Sequence, residues 1–326
     1  MNKTPSPLFQ EQRELDRRHI WATVRSWMEV DNYKQKRRGG RRRHHWDALE
    51  VLLNIFDFGL KLIGYHERGV KNARTIQLQQ VDLLFPQLPK AFDGYSILHV
   101  TDPHFDCLPA FEDLIIEAIS GVEADLCVFT GDYKLKVHGP YLHIVPAMQK
   151  VVSALTVRDG ILATLGNHDT VFFVNHFEKM GVRVLANESV SLHREDTAIH
   201  ITGIDDPHYY YTPMAEEALS AGGDGFKIAL IHTPELYDLA AENGYSLYLT
   251  GHTHGGQITF PNQRPILTHL HAGRHLAKGL WHHSGMTGYT GNGTGTSGIP
   301  IRFNTRGEIT RFTLRCGEPA DGPQSS

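Results

Sequence analysis

Ser96-Ile97-Leu98-His99-Val100-Thr101-Asp102-Pro103-His104 runs a strand-length apolar stretch straight into an aspartate and a histidine. The pattern returns four more times. Leu126–Thr130 ends in Gly131-Asp132, and 160–165 ends in Gly166-Asn167-His168-Asp169. Further on, 227–231 ends in His232, and 246–250 ends in Gly251-His252-Thr253-His254-Gly255-Gly256. A sixth apolar run covers 198–204. Short apolar and β-branched runs bounded by Gly, Pro and Asp read as strands, whereas 110–120 and 145–155 space their apolar residues as helices do. Strand and helix in alternation, with continuously apolar strands, predict an α/β fold.

Five of these strands deliver an oxygen or imidazole ligand at the carboxyl end, where open α/β sheets place their sites. Neighbouring glycines permit the tight turns that aim such side chains at one point. The strand ends supply Asp102, Asp132, the Asn167 oxygen and the imidazoles of His104, His168, His232, His252 and His254. A mixed oxygen and nitrogen set suits Mn²⁺, Fe or Zn²⁺, since a Mg²⁺ site is normally all oxygen. These ligands are too many for one tetrahedral ion and about enough for two ions sharing a carboxylate. The chain holds 21 histidines, 17 of them after residue 91, an excess that points the same way. Taken singly, a histidine after a strand is ordinarily a turn or core residue, and an Asp before Pro a turn former. Five such coincidences in succession are not explained so. By contrast His138, His143, His269, His271, His275, His282 and His283 read as surface or cleft residues.

In order, D-x-H, G-D, G-N-H-[DE], H and G-H-x-H resemble the signature of the calcineurin-like metallophosphoesterases. The resemblance covers roughly 92–315 and implies a four-layer αββα sandwich with a two-metal site at one end. Carried over residue by residue, it implies that Asp102, His104, Asp132 and His254 hold one ion. Asp132, Asn167, His232 and His252 hold the other, with Asp132 bridging and Asn167 sparing the phosphate a further negative charge. Manganese is the expected metal, with iron or zinc as alternatives. Two cations about 3.5–4 Å apart activate a hydroxide and clamp phosphate oxygens during in-line attack. His168, not a ligand, then contacts the scissile phosphate or protonates the leaving oxygen. One position departs from the family. Many members carry a second acidic residue three positions after the bridging aspartate, and here that place is Leu135. What orients His168 is therefore open, with Asp106 and Asp169 as candidates.

The stretches 251–258, 278–280 and 293–303 resemble one branch of that superfamily. It comprises membrane-associated bacterial phosphoesterases, among them the UDP-2,3-diacylglucosamine hydrolases of lipid A synthesis. The Gly-rich stretch 288–298 lacks the Lys-Ser/Thr of a phosphate loop and reads as a loop near the site.

Working outward, 326 residues with 40% apolar and 21% charged suffice for a sizeable core. Three cysteines without a C-x-x-C argue against a disulfide framework and for a reducing compartment. No uncharged apolar run reaches the roughly 18 residues of a spanning helix. Charge divides the chain: residues 1–90 carry 17 Lys and Arg against 10 Asp and Glu, and the rest carries 15 against 26. We therefore expect an N-terminal helical, basic extension over 1–90, a catalytic domain over 91–318 and a disordered tail over 319–326. Within the extension, Ile20, Trp21, Val24, Trp27 and Met28 predict an amphipathic helix over about 11–30. A basic run follows at 34–43. In 47–64 the polar residues Asp47, Glu50, Asn54, Asp57 and Lys61 keep to one narrow stripe and leave the rest apolar. Such a helix is either buried in protein or lies in a membrane interface. Joined to the basic run, it offers two signals for an anionic membrane surface through 34–64.

Nucleic acid is disfavoured as a partner, because the catalytic part is acidic and would repel it. A twin-arginine export signal at Arg42-Arg43 is disfavoured by Asp47, Glu50 and Asp57 in the stretch behind it. No protein partner is predicted. The expected function is two-metal hydrolysis of a phosphodiester or pyrophosphate bond by metal-activated hydroxide. Its substrate would be a membrane-associated lipid or nucleotide-lipid resembling UDP-2,3-diacylglucosamine, met in the cytoplasm or peripherally on the inner membrane. The alternatives are a soluble phosphodiesterase or nuclease, and a non-catalytic membrane adaptor.

Overall fold

The computed structural model describes residues 7–37, 41–262, 264–266 and 268–317, with side chains for 15–33 and from 51 onward within those ranges. The side chains of the basic run at 34–43 and the tail at 319–326 lie outside that description. In chain order the strands are β1 (Ile76–Phe85), β2 (Ser96–Val100), β3 (Glu123–Ala124), β4 (Leu126–Thr130), β5 (Thr156–Val157), β6 (Ile161–Thr164) and β7 (Val182–Val184). Then come β8 (Glu188–Arg194), β9 (Thr197–Ile204), β10 (Phe226–Ile231), β11 (Leu247–Thr250), β12 (Gly279–His283), β13 (Met286–Thr290) and β14 (Gly307–Cys316). The helices that matter below are α1 (Pro7–Arg37), α2 (Arg41–Leu62), α3 (His66–Ala73), α4 (Phe111–Ile119), α5 (Ile144–Ala154), α6 (Phe173–Lys179), α7 (Pro207–Tyr210), α8 (Pro213–Ser220) and α9 (Tyr237–Glu242). All six apolar runs are strands, and both predicted helices are present as α4 and α5.

Two six-stranded sheets carry the architecture, ordered β1-β14-β2-β4-β6-β7 and β12-β13-β11-β10-β9-β8. Strands β2, β4, β6 and β7 run parallel in the first, and β9, β10, β11 and β13 run parallel in the second. Side chains alternate across each strand. Thus Leu126 and Val128 of β4 face the second sheet, joining Ile201, Ile228, Leu230 and Leu249 in an inter-sheet core. Cys127 and Phe129 face outward into a cluster with Phe111 of α4, Met148 of α5 and Phe177 of α6. On the far side Ala218 of α8 and Ala240 of α9 cover Ala229, Ile231 and Tyr248. The result is the four-layer αββα sandwich.

The N-terminal helices pack differently from their apolar spacing. Trp21 of α1 is 3% exposed and belongs to the cluster under α4–α6, but Trp27 is 69% exposed, with Ile20 and Val24 open beside it. Helix α2 packs through Leu53 and Leu60 on Ile299, Ile301 and Phe303 and leaves Val51, Leu52, Ile55, Phe58 and Leu62 exposed. Among the described residues no helix is long and apolar enough to cross a membrane.

Candidate metal centre

The parallel central strands end at one edge of the sandwich, and both sheets contribute there. From the first sheet, Asp102 and His104 follow β2, Asp132 follows β4, and Asn167 and His168 follow β6; from the second, His232 follows β10, and His252 and His254 follow β11. All eight predicted site residues meet in this one place. Five of them, Asp102, His104, Asp132, His252 and His254, have positive φ between 37° and 69°. Non-glycine residues adopt that conformation rarely, at a cost of about 1–3 kcal/mol each, and it concentrates at functional sites. Loop-to-loop hydrogen bonds hold the strain: Asp102 N donates to Gly131 O, and His104 N to Asp132 O, both at 3.0 Å. The motif glycines are there for close approach. A Cβ on Gly166 would collide with Asp132 Oδ1, and one on Gly251 with Thr101 Oγ1 and Asp102 Oδ2.

The donor set fits divalent cations. His104 Nδ1 lies 2.9 Å from Lys134 O, and His232 Nδ1 lies 2.7 Å from Thr130 O. A carbonyl only accepts, so each Nδ1 carries a proton and each Nε2 is the atom turned into the cluster. His104 Nε2 faces His254 Nε2 at 3.2 Å and Asp132 Oδ2 at 3.7 Å. His232 Nε2 faces Asn167 Oδ1 at 3.1 Å, Asp132 Oδ2 at 3.3 Å and His252 Nδ1 at 3.3 Å. Acceptor atoms crowded this closely call for positive charge between them, which a proton on an imidazole nitrogen or a metal ion supplies. Among the described residues three overlapping groupings at these strand ends bring ligand atoms within 4.8 Å of one another, Asp102–His104–His254, Asp132–His232–His252 and His104–Asp132–His168, with Asn167 beside the second. The backbone carbonyls behind His104 and His232 are the outer partners that fix a ligating imidazole.

Electrostatics agree. Burial works to raise the Asp132 carboxyl, but His232, His168 and His104 overcome it and hold it well below the usual range. Burial, the Asp132 charge adding to it, lifts Asp102 to about 6. His232 is pulled well above an ordinary imidazole by Asp132 and Asp102 in spite of its burial. The cluster draws positive charge.

The open question of His168 resolves through the backbone. His168 Nδ1 lies 2.5 Å from the Leu135 carbonyl oxygen, which takes over from the missing acidic side chain. Asp106 acts at one remove, accepting from Leu135 N at 2.7 Å. Asp169 does not touch the imidazole. Its carboxylate accepts from Gly166 N, Asp132 N and Tyr133 N at 2.7–2.8 Å, tying the β4 and β6 loops together.

Several residues here carry no motif. The Gly-rich stretch passes behind the site, where Thr294 N and Gly295 N donate to the Thr101 and Asp102 carbonyls at 2.8 Å. Arg302, wholly buried, donates to the His254, Asn292, Gly293 and Gly295 carbonyls at 2.5–3.2 Å. Burial pushes its guanidinium down to about 10. Arg302→Met should therefore strip four buried carbonyls of their donor and cost about 3 kcal/mol of stability, read by urea denaturation. A loss within experimental error would mean that the loop re-forms its bonds without the arginine. Asp205-Asp206 after β9 and His208 were also missed. His208 stands against Glu235 at 3.0 Å and its ring lies 4.7 Å from that of His252.

Comparison with known proteins agrees with the geometry. The calcineurin-like phosphoesterase family model matches residues 95–256. The chain is 33% identical to the uncharacterized metallophosphoesterase YkuE of Bacillus subtilis over 70% of its own length and 82% of that protein's. It is 28% identical to phosphodiesterase YaeI of Escherichia coli over 68% and 82%. A transmembrane protein with metallophosphoesterase domain from Danio rerio is 27% identical over 76% of this chain and 59% of its own. With the ligand-bearing loops all inside the matched core, the chain belongs to the calcineurin-like phosphoesterases, metal-dependent hydrolases of phosphate esters.

Proposed function

We propose that the chain hydrolyses a phosphodiester or pyrophosphate bond in a membrane-associated lipid or nucleotide-lipid of the UDP-2,3-diacylglucosamine kind. Asp102, His104, Asp132 and His254 hold one divalent ion, and Asp132, Asn167, His232 and His252 hold the other, manganese foremost. When bound, such ions supply Lewis acidity, acidifying water and neutralising phosphoryl oxygens. The chain's own groups do the rest. Asp132 joins the two halves of the site, neutral Asn167 leaves room for an anionic substrate, and His168, pinned by Leu135, faces the scissile group with Nε2.

The observation that carries the lipid reading is the apolar surface of α1 and α2. Trp27 is exposed on α1, which packs on the 166–171 loop, Ile55, Phe58 and Leu62 are exposed on α2, which packs on 299–303, and the sequence places seven Lys and Arg between 34 and 43. Apolar area beside basic charge suits an anionic bilayer, and the Danio rerio relative is a transmembrane protein by name. The test is UMP release from UDP-2,3-diacylglucosamine by Mn²⁺-loaded protein, with sedimentation on phosphatidylglycerol vesicles. We expect both. The triple variant Trp27→Glu/Ile55→Glu/Phe58→Glu should lose vesicle binding while hydrolysing bis(p-nitrophenyl) phosphate within about twofold of the parent, since exposed positions rarely affect folding. Good diester hydrolysis without UMP release would discard the nucleotide-lipid in favour of a soluble phosphodiesterase.

A further inference from the structure

Helix α1 lies outside the matched family core, yet its inward face reaches the catalytic loops. Trp21, Arg25 and Glu29 fall at successive i, i+4 positions and so share one side of the helix. Trp21 Nε1 donates to Asp205 Oδ2 at 2.7 Å. The Arg25 side chain is fully buried. Its Nη1 meets Asp205 Oδ1 at 2.5 Å, while Nη2 donates to Gly166 O at 3.2 Å and Asp169 O at 3.0 Å. The guanidinium lies 3.3 Å over the Tyr210 ring, and its Nε bonds Glu29 Oε1 at 3.1 Å. One turn on, Glu29 accepts from Val171 N and Thr170 Oγ1, both at 2.8 Å.

The partners are not scattered. Gly166 and Asp169 flank Asn167 and His168, Thr170 and Val171 continue the same loop, and Asp205 directly follows β9 of the opposite sheet. One guanidinium thus joins the two sheets at the site end and grips the loop on both sides of the residues that matter. The brace continues inward, because the Asp169 carboxylate holds the Asp132 backbone. We infer that Arg25 and Glu29 are positioning residues for the hydrolysis. They fix the 166–171 loop so that Asn167 and His168 stay aimed into the cluster, and this makes α1 a working part of the site.

A purely structural brace and a positioning brace differ in what a conservative change does. Arg25→Lys keeps a cation opposite Asp205, but a single ammonium cannot replace a planar fork that serves a carboxylate and two carbonyls. Glu29→Gln keeps shape and removes the charge that accepts from Val171 and Thr170. For both variants kcat on bis(p-nitrophenyl) phosphate should fall about 10–100-fold, the usual effect of losing an outer partner of a metal site. KM should stay within about threefold, bound metal per chain should drop, and the melting temperature should move by a few degrees at most. Parent kcat and parent metal content in folded variants would reduce the residues to structural props and overturn the assignment. Should Arg25→Lys fail to fold, Glu29→Gln, which touches the loop and not Asp205, decides alone by the same readouts. The diester probe contains no lipid, so failure of the lipid reading leaves this outcome untouched. A parent chain inactive on every phosphodiester would instead defeat the two-metal reading on which the assignment rests.

Discussion

Asp132→Asn should cut hydrolysis of bis(p-nitrophenyl) phosphate by about 10³-fold or more, the scale on which one preorganised charge in a water-poor site registers. Bound metal should fall below the parent's. The reason is the reach of this one carboxylate. Its Oδ2 lies 3.7 Å from His104 Nε2 on one side and 3.3 Å from His232 Nε2 on the other, while Oδ1 accepts from His168 N at 2.9 Å. Because its pKa is held well below the usual range, the group carries a full negative charge at neutral pH, and the amide removes all of it. An amide can also turn donor hydrogens toward the imidazole nitrogens and so compete for the lone pairs a cation would use. Little of the loss should come from unfolding. Asp132 has φ of 59°, and Asn tolerates that left-handed conformation better than other non-glycine residues. Metal analysis after dialysis, kinetics and a melting curve on the same preparation check all three points. Two retained ions with parent activity would remove Asp132 from the bridging position.

The site was legible because its chemistry is local. A ligand lies within a few residues of a strand end, and each such strand is central, apolar on both faces and thus conspicuous. Edge strands were not conspicuous. In β8 half-buried and exposed residues simply alternate, and β1 shows a similar amphipathic texture, so neither presents a continuous apolar run. The support of the site was illegible for a different reason. Arg25 and Asp205 are 180 positions apart, and Arg302 spends its donors on backbone carbonyls that no sequence pattern announces. Apolar spacing grouped Ile20, Trp21, Val24, Trp27 and Met28 on one face of α1, and of these Trp21 is buried whereas Ile20, Val24 and Trp27 are exposed. The packed side is Trp21, Arg25 and Glu29, which hydropathy counts as mostly polar. Leu135 makes the same point at the smallest scale, since the partner of His168 is a carbonyl that any residue there would supply.

That carbonyl also sharpens what His168 can do. With Nδ1 at 2.5 Å from Leu135 O, the proton on Nδ1 is committed and Nε2 is the atom left for substrate. Burial holds the imidazole below its ordinary value and Asp132 opposes this. An arriving phosphate adds negative charge to the opposing side and so favours the protonated ring that a leaving oxygen needs. His168→Gln should therefore lower kcat by about 10²–10⁴-fold, the range for a general acid, with metal content unchanged. The loss should depend on the leaving group. A p-nitrophenolate departs without help near neutral pH, whereas an alkoxide requires the proton, so the alkyl ester should suffer at least about tenfold more. Equal losses on both esters would assign His168 to holding the phosphate instead. Metal content is the needed control, because His104, Asp132 and His168 offer ligand atoms within 4.8 Å of one another. A variant that lost an ion along with activity would make His168 a ligand, and the leaving-group ratio would then cease to report on proton transfer.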